Sequence, residues 1–88
     1  MSRGSARSTP RSVGTVLAVT PAGNFTVRAS GPDVTPERSR VADDRGDVRG
    51  VVVRVFGPVA RPYYSVRPRR ALTPAEGMRV LGATLWAE

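Results

Sequence analysis

Cysteine, histidine and lysine are all missing from this chain of 88 residues, and each absence closes off some chemistry. Without cysteine there is no disulfide, no thiolate metal site and no thiol nucleophile. Without histidine the commonest general base, the usual zinc ligands and the Ser/His and Cys/His catalytic pairs go together. An enzyme would have to work with seven carboxylates, two tyrosines and arginines, and no nucleophile and base can be paired among them. The expectation is therefore a protein without catalytic residues, metal or cofactor, and without a small-molecule substrate. No stretch approaches the roughly 20 apolar residues of a membrane-spanning helix. The N-terminus also lacks the apolar core of a signal peptide. A soluble, cytoplasmic protein with no membrane partner is expected.

The length suits one domain with a thin core, since so short a chain buries only about 60% of the surface it exposes when unfolded. Apolar residues make up 40% of the chain, and valine dominates them; valine favours pleated, half-buried strands. The net charge is +7, and all fourteen basic residues are arginine. Such a charge favours acidic surroundings such as RNA or an RNA-bearing particle. A coding bias that replaces lysine by arginine would give the same composition without any functional meaning.

Residues 1–12 (MSRGSARSTPRS) have no apolar residue larger than alanine after Met1 and carry Arg3, Arg7 and Arg11. Burial cannot offset the entropy of ordering such a segment, so a disordered basic tail is predicted. It is either a weak electrostatic tether to RNA phosphates or simply a solvated end. From Val13 the pattern becomes two-residue alternation broken by turn signals. Strands are predicted over residues 13–20, over residues 25–29, where Phe25, Val27 and Ala29 alternate with Thr26 and Arg28, and briefly over residues 40–42. Further strands are predicted over residues 48–56, 62–68 and 80–87. Asp43, Asp44 and Asp47 suggest a calcium loop only superficially, because Arg45 stands among them and the later glutamate is missing. A solvated turn around Gly46 is expected. Thr73-Pro74-Ala75-Glu76 has the form of a helix N-terminus, with Gly77 expected to stop it after one turn.

About five to seven short strands with frequent turns point to an all-β barrel or sandwich. Closure into a barrel removes exposed edges, so a single barrel domain over residues 13–88 is predicted. The segment 48–56 departs from simple alternation, because Val51, Val52, Val53, Val55 and Phe56 are all apolar and only Arg54 interrupts them. One face should meet the interior, and the other is most simply covered by a partner. The alternative cover is the chain's own segment 69–79. Gly57, Pro58 and Pro62 could equally serve only to bend the chain and blunt an edge. Tyr63 and Tyr64 must point to opposite faces, one into the core and one outward.

Within residues 56–67, Phe56, Gly57, Pro58, Val59, Pro62, Tyr63, Val66 and Arg67 fall into a spaced pattern that resembles the signature of the GAR subunit of box H/ACA ribonucleoproteins. The resemblance extends to Val13-Gly14-Thr15-Val16, Val41 with Asp43, Gly50, Leu81-Gly82 and Leu85-Trp86. Arg38 and Ala42 stand where the family usually has glycine and tyrosine, and Val51 and Arg54 where it usually has a lysine and an acidic residue. Long glycine- and arginine-rich extensions of eukaryotic members are missing, as in the short archaeal members. The resemblance implies a six-stranded split barrel of the translation-factor and reductase type. It implies docking on the catalytic domain of a dyskerin-type pseudouridine synthase, in a particle that also holds a guide RNA, a zinc-ribbon-like subunit and a kink-turn-binding protein. The role implied is regulation of a mobile loop that holds and releases substrate RNA during pseudouridylation of rRNA in ribosome biogenesis.

On this reading Val52, Phe56, Gly57, Pro58, Val59, Pro62, Tyr63 and Val66 are the expected partner-binding residues, and Arg61, Arg67, Arg69 and Arg70 could touch RNA. A free-standing RNA-binding barrel is the main rival, with Tyr63 and Tyr64 interleaved among those arginines as a stacking groove would require. A barrel like those of translation factors would share the fold but not the motif.

Overall fold

A computed structural model of the protein describes residues 11–31 and 34–88. Most of the expected tail, residues 1–10, lies outside the described residues. Its predicted boundary moves, however, because Ser12 already belongs to the first strand and the Arg11 carbonyl accepts a hydrogen bond from the Ala87 N–H at 2.9 Å.

Among the described residues six strands follow in the order β1 (Ser12–Val19), β2 (Phe25–Ala29), β3 (Arg40–Asp43), β4 (Arg49–Phe56), β5 (Tyr63–Pro68) and β6 (Thr84–Ala87), with one helix, α1 (Pro74–Val80), before the last. They close into an antiparallel barrel in the order β1-β2-β5-β4-β3-β6. The chain reaches that order by a Greek key: β3, β4 and β5 form a meander, and β2 returns beside β5. Every strand thereby has a hydrogen-bonded neighbour on both sides, so no strand among the described residues is an edge strand.

The core is what alternation demands of a small barrel. Phe25, Val27, Val52, Tyr64, Val66 and Leu85 are each at most 1% exposed, and burying such side chains stabilises by about 1.5–3 kcal/mol each. Gly50 is buried against β5, and a Cβ there would lie 2.7 Å from the Arg67 carbonyl oxygen.

The apolar run of β4 has a different origin from the one its composition suggests. The pairing runs Val52 with Val66 and then Arg54 with Ser65, so Val53 is an extra, bulged residue. The bulge resets the alternation. Val52 and Val55 both turn inward, Arg54 and Phe56 face outward, and Val51 and Val53 are half-buried. The outer face is therefore less apolar than five hydrophobic residues in six imply. Leu17 is displaced in the same way on β1, between Val16 and Ala18, and is 49% exposed.

Helix α1 begins as expected. The Thr73 hydroxyl accepts from the Glu76 N–H at 3.2 Å and the Glu76 carboxylate accepts from the Thr73 N–H at 3.0 Å, a reciprocal capping box. It does not stop at Gly77 but runs to Val80, whose side chain is 2% exposed in the core. Burial of Val80 outweighs the weak helix propensity of glycine, and the last strand accordingly starts at Thr84 and not at Val80. The segment leading into the helix lies beside the β1–β2 turn, where Leu72, Pro74 and Gly77 line a depression with Ala22, Gly23 and Asn24. Arg69 of the same segment lies beside Val51 and Val53 of β4, while Phe56 at the far end of that strand stays 37% exposed.

Candidate functional site

The β4–β5 hairpin places its two outward aromatic residues opposite one another. Phe56 pairs with Tyr63, and their rings stack with centroids 5.8 Å apart and planes inclined by 26°. The Arg54 guanidinium lies 5.3 Å from the Phe56 centroid, a favourable placement over the negative face of the ring. Gly57 follows with φ of 89°, and a Cβ on it would sit 2.7 Å from Cδ2 of Tyr63. Glycine is needed there twice over, for the left-handed backbone and for the passage of the tyrosine ring.

Beyond Gly57 the loop carries Pro58, Val59 and Ala60, all exposed, with Val59 at 93%. Its base is tied down: the Arg61 N–H donates to the Pro58 carbonyl at 3.3 Å, and the Ala29 N–H donates to the Pro62 carbonyl at 2.9 Å. Arg61 Nε also donates to the Ala29 carbonyl at 3.1 Å. Phe56, Gly57, Pro58, Val59 and the half-buried Tyr63 thus form one outward, mostly apolar ridge on a braced hairpin.

Three of the expected partner-binding residues lie elsewhere. Val52 and Val66 face each other inside the barrel, each 0% exposed, and Pro62 is buried at the base of the loop. The bulge at Val53 explains the different place of Val52, since it sets which valines of β4 turn inward. Tyr64 is the inward tyrosine, 0% exposed, and its hydroxyl accepts from the Thr35 N–H at 2.9 Å. It cannot stack on a base, so the row of aromatic and basic residues invoked for a nucleic-acid groove does not exist in that form.

The arginines also separate. Arg61 braces the loop, and Arg70 forks the Glu76 carboxylate with bonds of 2.9 and 2.7 Å. That fork, with the Thr73 N–H, lowers the Glu76 carboxyl to about 2 and raises the Arg70 guanidinium above its ordinary value. Arg67 and Arg69 remain exposed and share a groove of about 540 Å³ with Arg38, Glu37, Val51 and Val53.

Sequence reasoning missed Arg38. It sits at φ of 73°, where a residue with a Cβ costs about 1–2 kcal/mol and glycine is the ordinary occupant, and the hint in the sequence is the glycine usual at this position in the family that the chain resembles. In the acidic turn, Asp43 Oδ1 accepts from the Val48 N–H at 3.2 Å and so shapes the turn. No group of three or more potential metal-ligating side chains occurs among the described residues. Nor is any helix among them long and apolar enough to cross a membrane.

Fold and site together define a small closed antiparallel barrel that carries an apolar ridge on one hairpin. Neither a scan against models of protein families nor a search of curated proteins gives a match to the chain.

Proposed function

We propose that this barrel is a non-catalytic docking subunit, the GAR-type component of an archaeal box H/ACA particle working in the cytoplasm. It binds a dyskerin-type pseudouridine synthase and promotes substrate loading and product release in the RNA-guided pseudouridylation of rRNA. The observation that carries this reading is the outward placement of Phe56, Gly57, Pro58, Val59 and Tyr63 on one braced hairpin. These five residues are the outward, uncharged members of the eight positions that resemble the GAR signature.

An aromatic pair beside a fully exposed valine is costly to leave in water and is the kind of anchor that dominates an interface. The contribution to the reaction is indirect. A subunit that supplies no acid, base or nucleophile raises the observed rate by shifting a mobile loop of the synthase between substrate-holding and product-releasing states, because release often limits turnover.

The test has two parts. Phe56→Asp and Val59→Asp should each weaken capture by the synthase by about thirtyfold or more, the equivalent of about 2 kcal/mol for a buried anchor, while circular dichroism stays that of the folded barrel. Normal capture by both variants removes the ridge as the docking surface. In the reconstituted particle the wild-type protein should accelerate multiple-turnover modification more than a single turnover with enzyme in excess. Equal stimulation in both regimes, with product release unchanged, refutes gating.

A further inference from the structure

From the groove that joins Arg38, Arg67 and Arg69, we infer a second binding surface, which holds the phosphodiester backbone of a single nucleic-acid strand. Arg67 reaches it from β5, Arg69 from the segment just beyond, and Arg38 from the β2–β3 connection, with Val51 and Val53 of β4 between them. All three arginines are exposed, and among the described residues none of them forms an ion pair. This contrasts with Arg49 and Arg70, whose charges face Glu88 and Glu76. The groove contains one acidic residue, Glu37, against the three guanidiniums.

Arg38 is the telling member. Its N–H donates to the Val52 carbonyl at 2.6 Å, which fixes the loop against β4 with φ of 73°. The chain thus holds a charged side chain in a strained position that glycine would occupy freely, and strain of this kind marks sites of function more often than of stability.

The partner's chemistry follows from charge density and from what the groove lacks. Arginine forks match phosphate oxygens in a planar, bidentate geometry. A nucleic-acid strand presents one charge at every nucleotide, a density that a peptide reaches only in an unbroken acidic run. Among the described residues no aromatic side chain lines the groove, so bases have nothing to stack on and binding is independent of sequence. The surface is distinct from the ridge of Phe56, Val59 and Tyr63, and strand binding there requires no docking of that ridge on a synthase.

The experiment uses the full chain and a fluorescent twelve-residue oligouridine, with anisotropy read over a range of salt concentrations. Affinity should be on the order of 10⁻⁵ M at physiological salt. The combined variant Arg38→Gly, Arg67→Gln, Arg69→Gln should bind about tenfold or more weakly. Its plot of log affinity against log salt should be shallower by about 2, at about 0.7 for each phosphate that is no longer neutralised. Arg38→Gly relieves backbone strain, so weaker binding by that variant alone, with an unchanged or raised melting temperature, cannot be ascribed to unfolding.

A control carrying Arg28→Gln, Arg45→Gln and Arg79→Gln removes the same charge elsewhere and should keep most of the affinity. Equal weakening in both triple variants overturns the groove in favour of net charge. Disappearance of all binding on deletion of residues 1–10 overturns it in favour of the N-terminal segment. Binding of an oligoglutamate that depends on the three arginines, with none of the oligouridine, overturns it in favour of an acidic peptide.

Discussion

Tyr64→Phe removes a single oxygen from the inside of the barrel, one that serves a buried backbone N–H. The ring is 0% exposed and Thr35 is 1% exposed, and the hydroxyl accepts the Thr35 backbone N–H at 2.9 Å across 29 residues of sequence. Phenylalanine keeps the ring and its packing, so no large cavity opens. The variant lacks an acceptor for a buried N–H, which costs about 1–3 kcal/mol when nothing replaces it. In a domain of this size each kcal/mol lowers the melting temperature by about 4–8 °C.

The expected fall is therefore roughly 4–24 °C, read by circular dichroism, with urea unfolding as a check that the transition remains two-state. Amide exchange at Thr35 should quicken more than at Val27 or Val66, since the hydroxyl anchors the β2–β3 connection. The neighbouring variant Tyr63→Phe is the comparison. Tyr63 is half-buried on the outer face, where water can serve a hydroxyl, and removing that hydroxyl should change stability by about 0.5 kcal/mol or less. If Tyr64→Phe and Tyr63→Phe prove equally mild, the account of the Thr35 anchor is wrong.

Two further outcomes concern the helix cap and the hairpin turn. Because the folded protein holds the Glu76 carboxyl at about 2, below its ordinary 4.5, the stability it lends is present in full above that ordinary value and is lost as pH falls through about 2. The difference in melting temperature between wild type and Glu76→Gln should therefore be constant at neutral and mildly acidic pH and shrink towards zero in strong acid; a difference that persists there refutes the assignment. Gly57→Ala meets both a left-handed backbone and the Tyr63 ring, and should lower stability by about 1–3 kcal/mol in urea unfolding. Combining it with Tyr63→Ala should recover the part due to the clash but not the part due to φ, a coupling that a double-mutant cycle measures.

How far the sequence can be read depends on whether a feature is local. Strand β2 is legible to the residue, because Phe25, Val27 and Ala29 alternate between a turn and a loop and nothing distant alters their phase. The start of α1 is equally local, since Thr73, Pro74 and Glu76 carry the whole capping box. Its end is not: Gly77 argues for termination, and only the place that Val80 finds in the core overrides it.

The candidate site divides in the same way. Phe56, Gly57, Pro58, Val59 and Tyr63 share one short hairpin, so the sequence brings them together unaided. Val52 lies on the inner face because the bulge at Val53 is a property of the pairing with β5 and not of the strand, and no pattern within β4 reveals it. The choice between Tyr63 and Tyr64 is likewise made by β2 and β4, which flank them on either side. Arg38 shows in the sequence only as a departure from the glycine of the resembled family, and its place in the groove follows from a backbone angle and a tertiary contact that no local pattern encodes.

The closure of the barrel limits how anything can recognise this protein. Among the described residues every strand has a neighbour on both flanks, which leaves a visiting chain no whole strand edge to extend. Recognition then falls to side chains, and the ridge needs a hairpin of the right length with a neighbouring strand to brace its base as Ala29 does. Such a surface is portable: transferring the segment from Arg54 to Tyr63, with its Gly57 turn, onto another six-stranded barrel should carry the binding preference with it and leave the donor fold behind.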